Sequence, residues 1–427
     1  MTSKADVVVV GGGLSGLTAA VLLARSGRSV TVLERGTSLG GRAATRSSGG
    51  FHRNLGAHAL YRGGRAAAIL DELGVPYRGA FPSASGGFAI DGGVKHTFPA
   101  GFVSLLTTGL LRLPAKLETA RLLATLSRID PEPLQRMTVT AWLDKTITSP
   151  EVRRLMSALF RVSTYTNAPD QLSAGLAVSQ LQLALAHNVL YLDGGWQVLV
   201  DGLADAARSA GARILESAKA TRIEAAGGMA QAVHLADGTR LPASEVVIAA
   251  SPGAVRALLG DAAPHFEDPI PVKAACFDVA LKSLPRPRAL FALGMDRPIY
   301  FSVHSASAQL APAGGAMIHT IKYLEPGAPA DPRGDEAELT GLLDEVQPGW
   351  RDVEVDRSFL PAMVVSNALV TAAGGGLRGR VDVASPSLRN VYLAGDWVGP
   401  EGLLADASLA SAARAAEKIQ QCRAWAA

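Results

Sequence analysis

The chain has 427 residues, 48% of them hydrophobic and 19% charged, with a formal net charge of +3. That length exceeds one ordinary core and predicts two domains, and the composition excludes a disordered chain. The small charge, with no basic stripe, gives no reason to expect nucleic acid as a partner. Two cysteines, Cys276 and Cys422, fit no zinc or redox spacing and suit a reducing cytoplasm. The short apolar N-terminus leads straight into a glycine turn, and no apolar run is long enough to span a bilayer. Neither a cleaved leader nor a spanning helix is therefore expected.

In chain order, the first element is a strand over 6–10, DVVVV, apolar enough for burial on both faces. Gly11-Gly12-Gly13-Leu14-Ser15-Gly16 follows, a G-x-G-x-x-G turn. It opens a helix in which Leu14, Leu17, Val21 and Leu22 recur at helical spacing. A second strand, 29–33, ends at Glu34, 23 residues after Gly11. This order suits a dinucleotide. Gly11 permits the tight turn, Gly13 lets a pyrophosphate approach the backbone, and Gly16 lets the helix lie close to the sheet. The helix N-terminus at Leu14 and Ser15 presents free N–H groups and partial positive charge to phosphates. Glu34 can accept from ribose hydroxyls. NAD, NADP and FAD all fit; Glu34 opposes a 2′-phosphate, and the neighbouring Arg35 weakens that argument.

Just past the acid stands Leu39-Gly40-Gly41-Arg42. With the glycine unit and Glu34, this G-G-R makes the chain resemble the FAD-dependent amine oxidase and phytoene desaturase superfamily, which includes protoporphyrinogen oxidase-like flavoproteins. The resemblance implies FAD, with Gly40, Gly41 and Arg42 along its pyrophosphate and flavin. Neither cysteine sits in a motif like those used for covalent flavin attachment, so FAD is expected to be non-covalent. Asn54-Leu55-Gly56-Ala57-His58 resembles the family segment beside the flavin ring, and Gly56 and Ala57 are small enough for close approach. His58 faces substrate, donates to the flavin, or is a hydrogen-bonded structural histidine.

A helix is predicted over 65–73 with Gly74 as its C-cap. Strands follow over 86–90 and 94–98, around the Asp91-Gly92-Gly93 turn. The helical region 99–129 carries Phe102, Leu105, Leu106, Leu110 and Leu113 on an apolar face, with Arg112, Lys116, Arg121 and Arg128 as cationic points. That pattern suits a membrane surface or the entrance for a greasy substrate; the ordinary alternative is a core helix interrupted at Pro114. Helical character continues over 139–143 and 150–160. Tyr165, Gln180, Gln182 and His187 become candidate pocket residues because this part of the chain covers the flavin in the family.

Residues 191–210 resemble the family's return into the FAD domain. A strand over 213–224 follows, in which the resemblance places Ala220 at the adenine edge. Short strands over 231–235 and 239–241 flank Asp237-Gly238, and 245–250 reads as another buried strand. The strand 272–281 carries Lys273 where amine oxidase relatives often place a lysine that holds a water near flavin N5; otherwise Lys273 is an edge-strand residue in solvent. Strands over 300–304 and 316–323 bring His304, His319, Lys322 and Tyr323 to the cavity or use them to satisfy core polarity. A surface helix covers 336–346. Residues 390–416 resemble the C-terminal FAD motif: a strand over 391–394, Gly395-Asp396, then a helix from near Gly402. The resemblance gives Asp396 the ribityl or pyrophosphate side. It gives the N–H groups near Leu403 and Leu404 to flavin N1 and O2, with Ala407 in the same contact.

The expected fold is α/β: a Rossmann-like FAD-binding domain with a parallel sheet, plus an inserted α+β substrate domain with an antiparallel sheet. Segments 1–80, 191–265 and 355–427 build the first, and 81–190 and 266–354 the second. The expected chemistry is hydride transfer from a small, lipophilic molecule to flavin N5, leaving a C=C or C=N bond. His58 and Lys273 are the candidates for a catalytic role, and no metal is expected. Amine oxidases commonly frame the amine with two rings, one at the start of the C-terminal helix. Here Leu403 stands there, which leaves a cation cage incomplete and favours an isoprenoid-like substrate. The readings kept beside this one are an amine oxidase, a flavin-dependent isomerase or dehydroxylase, and a lipid-binding escort without FAD. Oxygen, a quinone or another acceptor would reoxidise the flavin. The expected location is cytoplasmic, with peripheral membrane contact left open and no signal for oligomeric state.

Overall fold

The computed structural model describes residues 5–82, 86–263 and 269–424. Ala5–Val10 forms the central strand of a parallel sheet, with Val30–Leu33 on one side and Arg240–Ile248 on the other. Arg213–Leu215 and Val391–Leu393 extend the sheet at either side. Val7, Val8 and Val9 are wholly buried, as a run apolar on both faces requires. The helix Leu14–Arg25 lies on this sheet between the helices Gln197–Ser209 and Ala405–Ala424.

Two sequence expectations change here. The predicted strand 213–224 is broken, because Ser217 takes a left-handed φ of 55°. The N–H groups of Ser217 and Ala218 turn to the carbonyls of Gly36 and Glu34. A separate strand, Ala220–Ala226, then pairs antiparallel with Met229–Leu235. Conversely, the two strands expected at 239–241 and 245–250 are one, Arg240–Ile248. Its first half pairs antiparallel with Met229–Leu235 and its second half runs parallel to Ala5–Val10 and Val391–Leu393.

A second, seven-stranded sheet runs in the order Glu354–Ser366, Val272–Leu281, Ala316–Tyr323, Ile299–Val303, Phe291–Gly294, Gly87–Asp91, Val94–Thr97. All its neighbours are antiparallel except Phe291–Gly294 with Gly87–Asp91. Alternation on Val272–Leu281 sends Ala274 and Cys276 to a helical core, shared with Leu113–Leu126, Val139–Thr146, Pro150–Thr164 and Ala174–His187. Ala275, Phe277 and Val279 pack on the other face, under the helix Pro332–Val346. The strand Glu354–Ser366 corrects the expected boundary at 355: it belongs to this second sheet. Leu369 and Val370 still pack in the helical core, and Val383 is the first later residue buried with the parallel sheet. The expected boundary at 265 lies outside the described residues.

The helical region after Pro99 is two helices, Phe102–Thr107 and Leu113–Leu126. Pro114 does not interrupt a core helix; it sits in the first turn of the second one, where its missing N–H is harmless. Leu105 and Leu110 are buried, but Phe102 is 76% exposed and Leu113 67%, with Val103, Leu106 and Leu117 also open. Among the described residues no helix is long and apolar enough to cross a membrane. The helix Arg65–Leu73 ends at left-handed Gly74, as the sequence predicts. Its N-terminus has no capping side chain of its own. Asp406, from the first turn of Ala405–Ala424, supplies one: its Oδ1 accepts from the N–H of Ala66 at 2.8 Å.

Candidate functional site

A cavity of about 910 Å³ opens at the C-terminal ends of the parallel strands and runs toward the antiparallel sheet. Gly11, Gly13, Leu14, Ser15, Glu34 and Arg35 line one end. Gly11 and Gly16 do the structural work that their spacing predicts. Gly11 has a φ of 114°, which a side chain rarely adopts. A Cβ on Gly16 would overlap the Gly11 carbonyl, so Gly16 serves close packing and does not itself reach the cavity. Among the described residues a Cβ on Gly13 would meet only the Gly40 carbonyl, at 3.8 Å; the space beside it belongs to the cavity. Glu34 is held open: Oε2 accepts from the Gly12 N–H at 2.8 Å and Oε1 from the Gly36 N–H at 2.7 Å. Each oxygen keeps a lone pair for a further donor. Ala220 lines the cavity here, beside Lys219 and Ala218.

Gly40, Gly41, Arg42, Gly395 and Asp396 line the middle. Arg42 Nη1 reaches Asp396 Oδ2 at 2.7 Å and the Val365 carbonyl at 3.0 Å. Asn367, which the sequence reading did not single out, donates its backbone N–H to Oδ2 and its side-chain amide to Oδ1. Burial pushes the Asp396 carboxyl up, but the Arg42 charge and these bonds outweigh it and hold the group below its usual range. Asp396 is therefore first the clamp of Arg42. One lone pair of Oδ1 stays available to a ligand.

Ala57, His58, Tyr165, Trp196, Met363 and Leu404 line the far end. Tyr165 donates its hydroxyl to the Ala57 carbonyl at 3.2 Å, and both it and Leu404 take left-handed backbone conformations. The buried Trp196 Nε1 has no hydrogen-bond partner among the described residues. Several expected site residues fall elsewhere. Gly56 is pressed against Met363 and Cys276, so its small size serves protein packing. Leu403 turns into the helical core, and Ala407 is buried without lining the cavity; of that turn, Leu404, Ala405 and Ser408 face it. Lys273 is exposed and in phase with Ala275 and Phe277, on the sheet face turned away from the cavity. It cannot hold a water there, and its strand is internal rather than an edge.

Of the other candidates, Gln182 donates to the Leu126 and Ile129 carbonyls, Gln180 is buried, and His187 packs on Gly63. Lys322 pairs with Asp335 and Glu338, both at 2.8 Å. Tyr323 sits edge-on to Tyr165. His304 and His319 belong to a buried polar cluster on the cavity-side face of the second sheet. There His319 Nδ1 lies 2.8 Å from Asp278 Oδ1, and Tyr191 stacks on His304 at 3.7 Å. Among the described residues no group of His, Cys, Asp or Glu is placed to hold a metal.

The lining fits a dinucleotide with a flat ring system: an acceptor carboxylate, open glycines and a helix N-terminus at one end, the Arg42–Asp396 pair in the middle, and apolar and aromatic walls at the other end. This defines a flavoprotein-type dinucleotide site between a Rossmann-like layer and an antiparallel sheet. Residues 14–276 match the family described as flavin containing amine oxidoreductase, and the chain belongs to it. FAD is the cofactor that family membership and this cavity define. The chain is 32% identical over 268 residues to (S)-6-hydroxynicotine oxidase of Paenarthrobacter nicotinovorans, covering 57% of this chain and 59% of that one. It is 30% identical over 303 residues to phytoene dehydrogenase of Streptomyces griseus, covering 62% and 58%. The matches thus span about three fifths of these relatives' length. A solved oxidoreductase from Methanosarcina mazei superposes with a TM-score of 0.77 at 18% identity, over 96% of this chain and 99% of that one, which shows the shared fold.

Proposed function

We propose that the protein is an FAD-dependent oxidoreductase that removes hydride from a lipophilic organic molecule, leaving a C=C bond. When bound, FAD supplies the hydride acceptor. The chain supplies the rest. Glu34 and the glycine floor fix the dinucleotide, and the Arg42–Asp396 clamp closes its middle. Ala57, Tyr165, Met363, Val365 and Leu404 shape a mostly apolar chamber that orients substrate and excludes water. The observation that carries this reading is the continuous cavity joining an intact nucleotide end to that chamber. Cys276 is buried outside the cavity lining, in keeping with a non-covalent cofactor.

The exposed apolar residues of Phe102–Thr107 and Leu113–Leu126 support a substrate drawn from a lipid surface. Arg112, whose side chain is 89% exposed, and Arg121 stand beside them and suit anionic headgroups. In this reading the protein meets the cytoplasmic face of a membrane peripherally. A second reading, amine oxidation to an imine, draws on the rings of Trp196 and Tyr165 in the cavity wall. Mixing the flavin-loaded protein anaerobically with a panel of polyenes and amines separates the two. Bleaching of the flavin by polyenes alone is the expected result. Bleaching by amines alone replaces the first reading with the second. Reoxidation, followed by oxygen consumption and by quinone reduction, then identifies the acceptor.

A further inference from the structure

His58 stands in a setting that a neutral imidazole cannot satisfy. Its Nδ1 lies 3.0 Å from the Gly56 carbonyl and its Nε2 lies 3.1 Å from the Arg42 carbonyl. A carbonyl oxygen only accepts, and a neutral ring has a single N–H, so one ring nitrogen must turn a lone pair toward another lone pair. The imidazolium, with two N–H groups, satisfies both. The same ring lines the cavity at the end away from Glu34, 5.0 Å from the ring of Trp196.

Resting on the FAD reading above, we propose that His58 takes up one proton when the bound cofactor gains two electrons, becoming the imidazolium that both carbonyls are placed to receive. The balance is simple. The substrate loses a hydride and a proton and gains a double bond. The hydride reduces FAD, and the proton goes to His58. The acceptor later removes the two electrons and the hydrogen, and His58 releases its proton. The cation offsets the negative charge that the cofactor gains.

The groups that face His58 leave it poised between its two states. Burial holds it below the usual histidine value, and His319 adds to that, while the two carbonyls and Asp278 oppose it. His319 and Asp278 come from adjacent strands and are paired to each other. His304 lies 4.5 Å from the His319 ring, and Tyr165 fixes Ala57, the residue before His58. Arg42 contributes its carbonyl to the ring and its guanidinium to Asp396. A negative charge gained in the same cavity shifts this balance toward the cation.

The test is potentiometry of the holoenzyme from about pH 6.5 to about 8.5, the range above the ordinary histidine value. Dithionite serves as reductant, so no substrate is needed. For a two-electron couple each proton taken up shifts the potential by about 30 mV per pH unit. Two protons, one with the hydride and one on His58, give about 59 mV in the wild type, and His58→Gln should give about 30 mV. The reduced spectrum should remain that of the anionic cofactor in both. A wild-type slope of about 30 mV, or a variant that keeps the wild-type slope, overturns the proposal. Should His58→Gln fail to fold, ring-nitrogen NMR of the wild type decides. One of the eight histidines must change from one N–H to two on reduction, and no such change overturns the proposal. Protein that takes up no FAD overturns the cofactor reading itself, whereas a wrong slope with FAD bound overturns only the role of His58.

Discussion

Glu34 shows how much one side chain can do at the end of a strand. Both its oxygens are fixed by backbone N–H groups, and both keep an acceptor position open toward the cavity. Glu34→Ala removes charge-assisted bonds worth about 1.5–3 kcal/mol each. FAD affinity should therefore fall by roughly ten- to a hundredfold or more, read by flavin fluorescence during reconstitution of the apoprotein. Unchanged affinity would place the ribose elsewhere. The placement of Gly11, Gly13 and Glu34 together at one end of the cavity was legible in the sequence because it follows from local spacing. Lys273 was misread for a reason of the same kind: both faces of Val272–Leu281 are apolar, so alternation alone does not say which face meets the cavity. Asn367 had no readable signal. Its partner Asp396 is 29 residues on, and Arg42, the third member, precedes Asp396 by 354.

Between elements, the pairing of Asp406 with the helix Arg65–Leu73 carries a prediction of its own. An acceptor at a helix N-terminus is normally part of the same helix; here it arrives from a helix 340 residues later. Gly64 is required beside it, since any side chain there would overlap the carboxylate. Burial raises the Asp406 carboxyl to about 6, against the single bond from Ala66. A group whose folded value is raised adds stability that is full below its unfolded value, near 3.8, and lost as pH rises through about 6. Asp406→Asn keeps the acceptor without the charge. The variant should be flat across that window and melt above the wild type near neutral pH, as thermal unfolding at several pH values would show. Equal pH dependence in the two proteins would exclude Asp406 as the source. The sequence shows the missing cap only as Gly64; which distant acid replaces it depends on how Ala405–Ala424 packs.

At the scale of the molecule, two hydrophobic cores drawn from alternating stretches of chain meet along one cavity. The sequence reading placed most of these stretches because each begins with a strong local pattern. The sequence names no strand over 354–366 and so misses the place of Glu354–Ser366 in the second sheet. It also left the apolar residues after Pro99 unresolved, and they are largely open. Phe102→Glu combined with Leu106→Glu should abolish co-sedimentation with vesicles rich in anionic lipid while leaving FAD binding intact. Burying side chains of this size contributes about 1.5–3 kcal/mol each, so the double change should weaken association at least roughly a hundredfold. Equal sedimentation of both proteins would remove the lipid surface from the account.

The hollow beside Gly13 has one more implication. Among the described residues, a Cβ placed there would meet a single carbonyl, that of Gly40. One added methyl there leaves the scaffold standing and spoils only the seat of its guest, whereas the same methyl at Gly16 strikes the scaffold itself. Gly13→Ala should therefore cost cofactor affinity and spare the melting temperature, whereas Gly16→Ala should lower the melting temperature first.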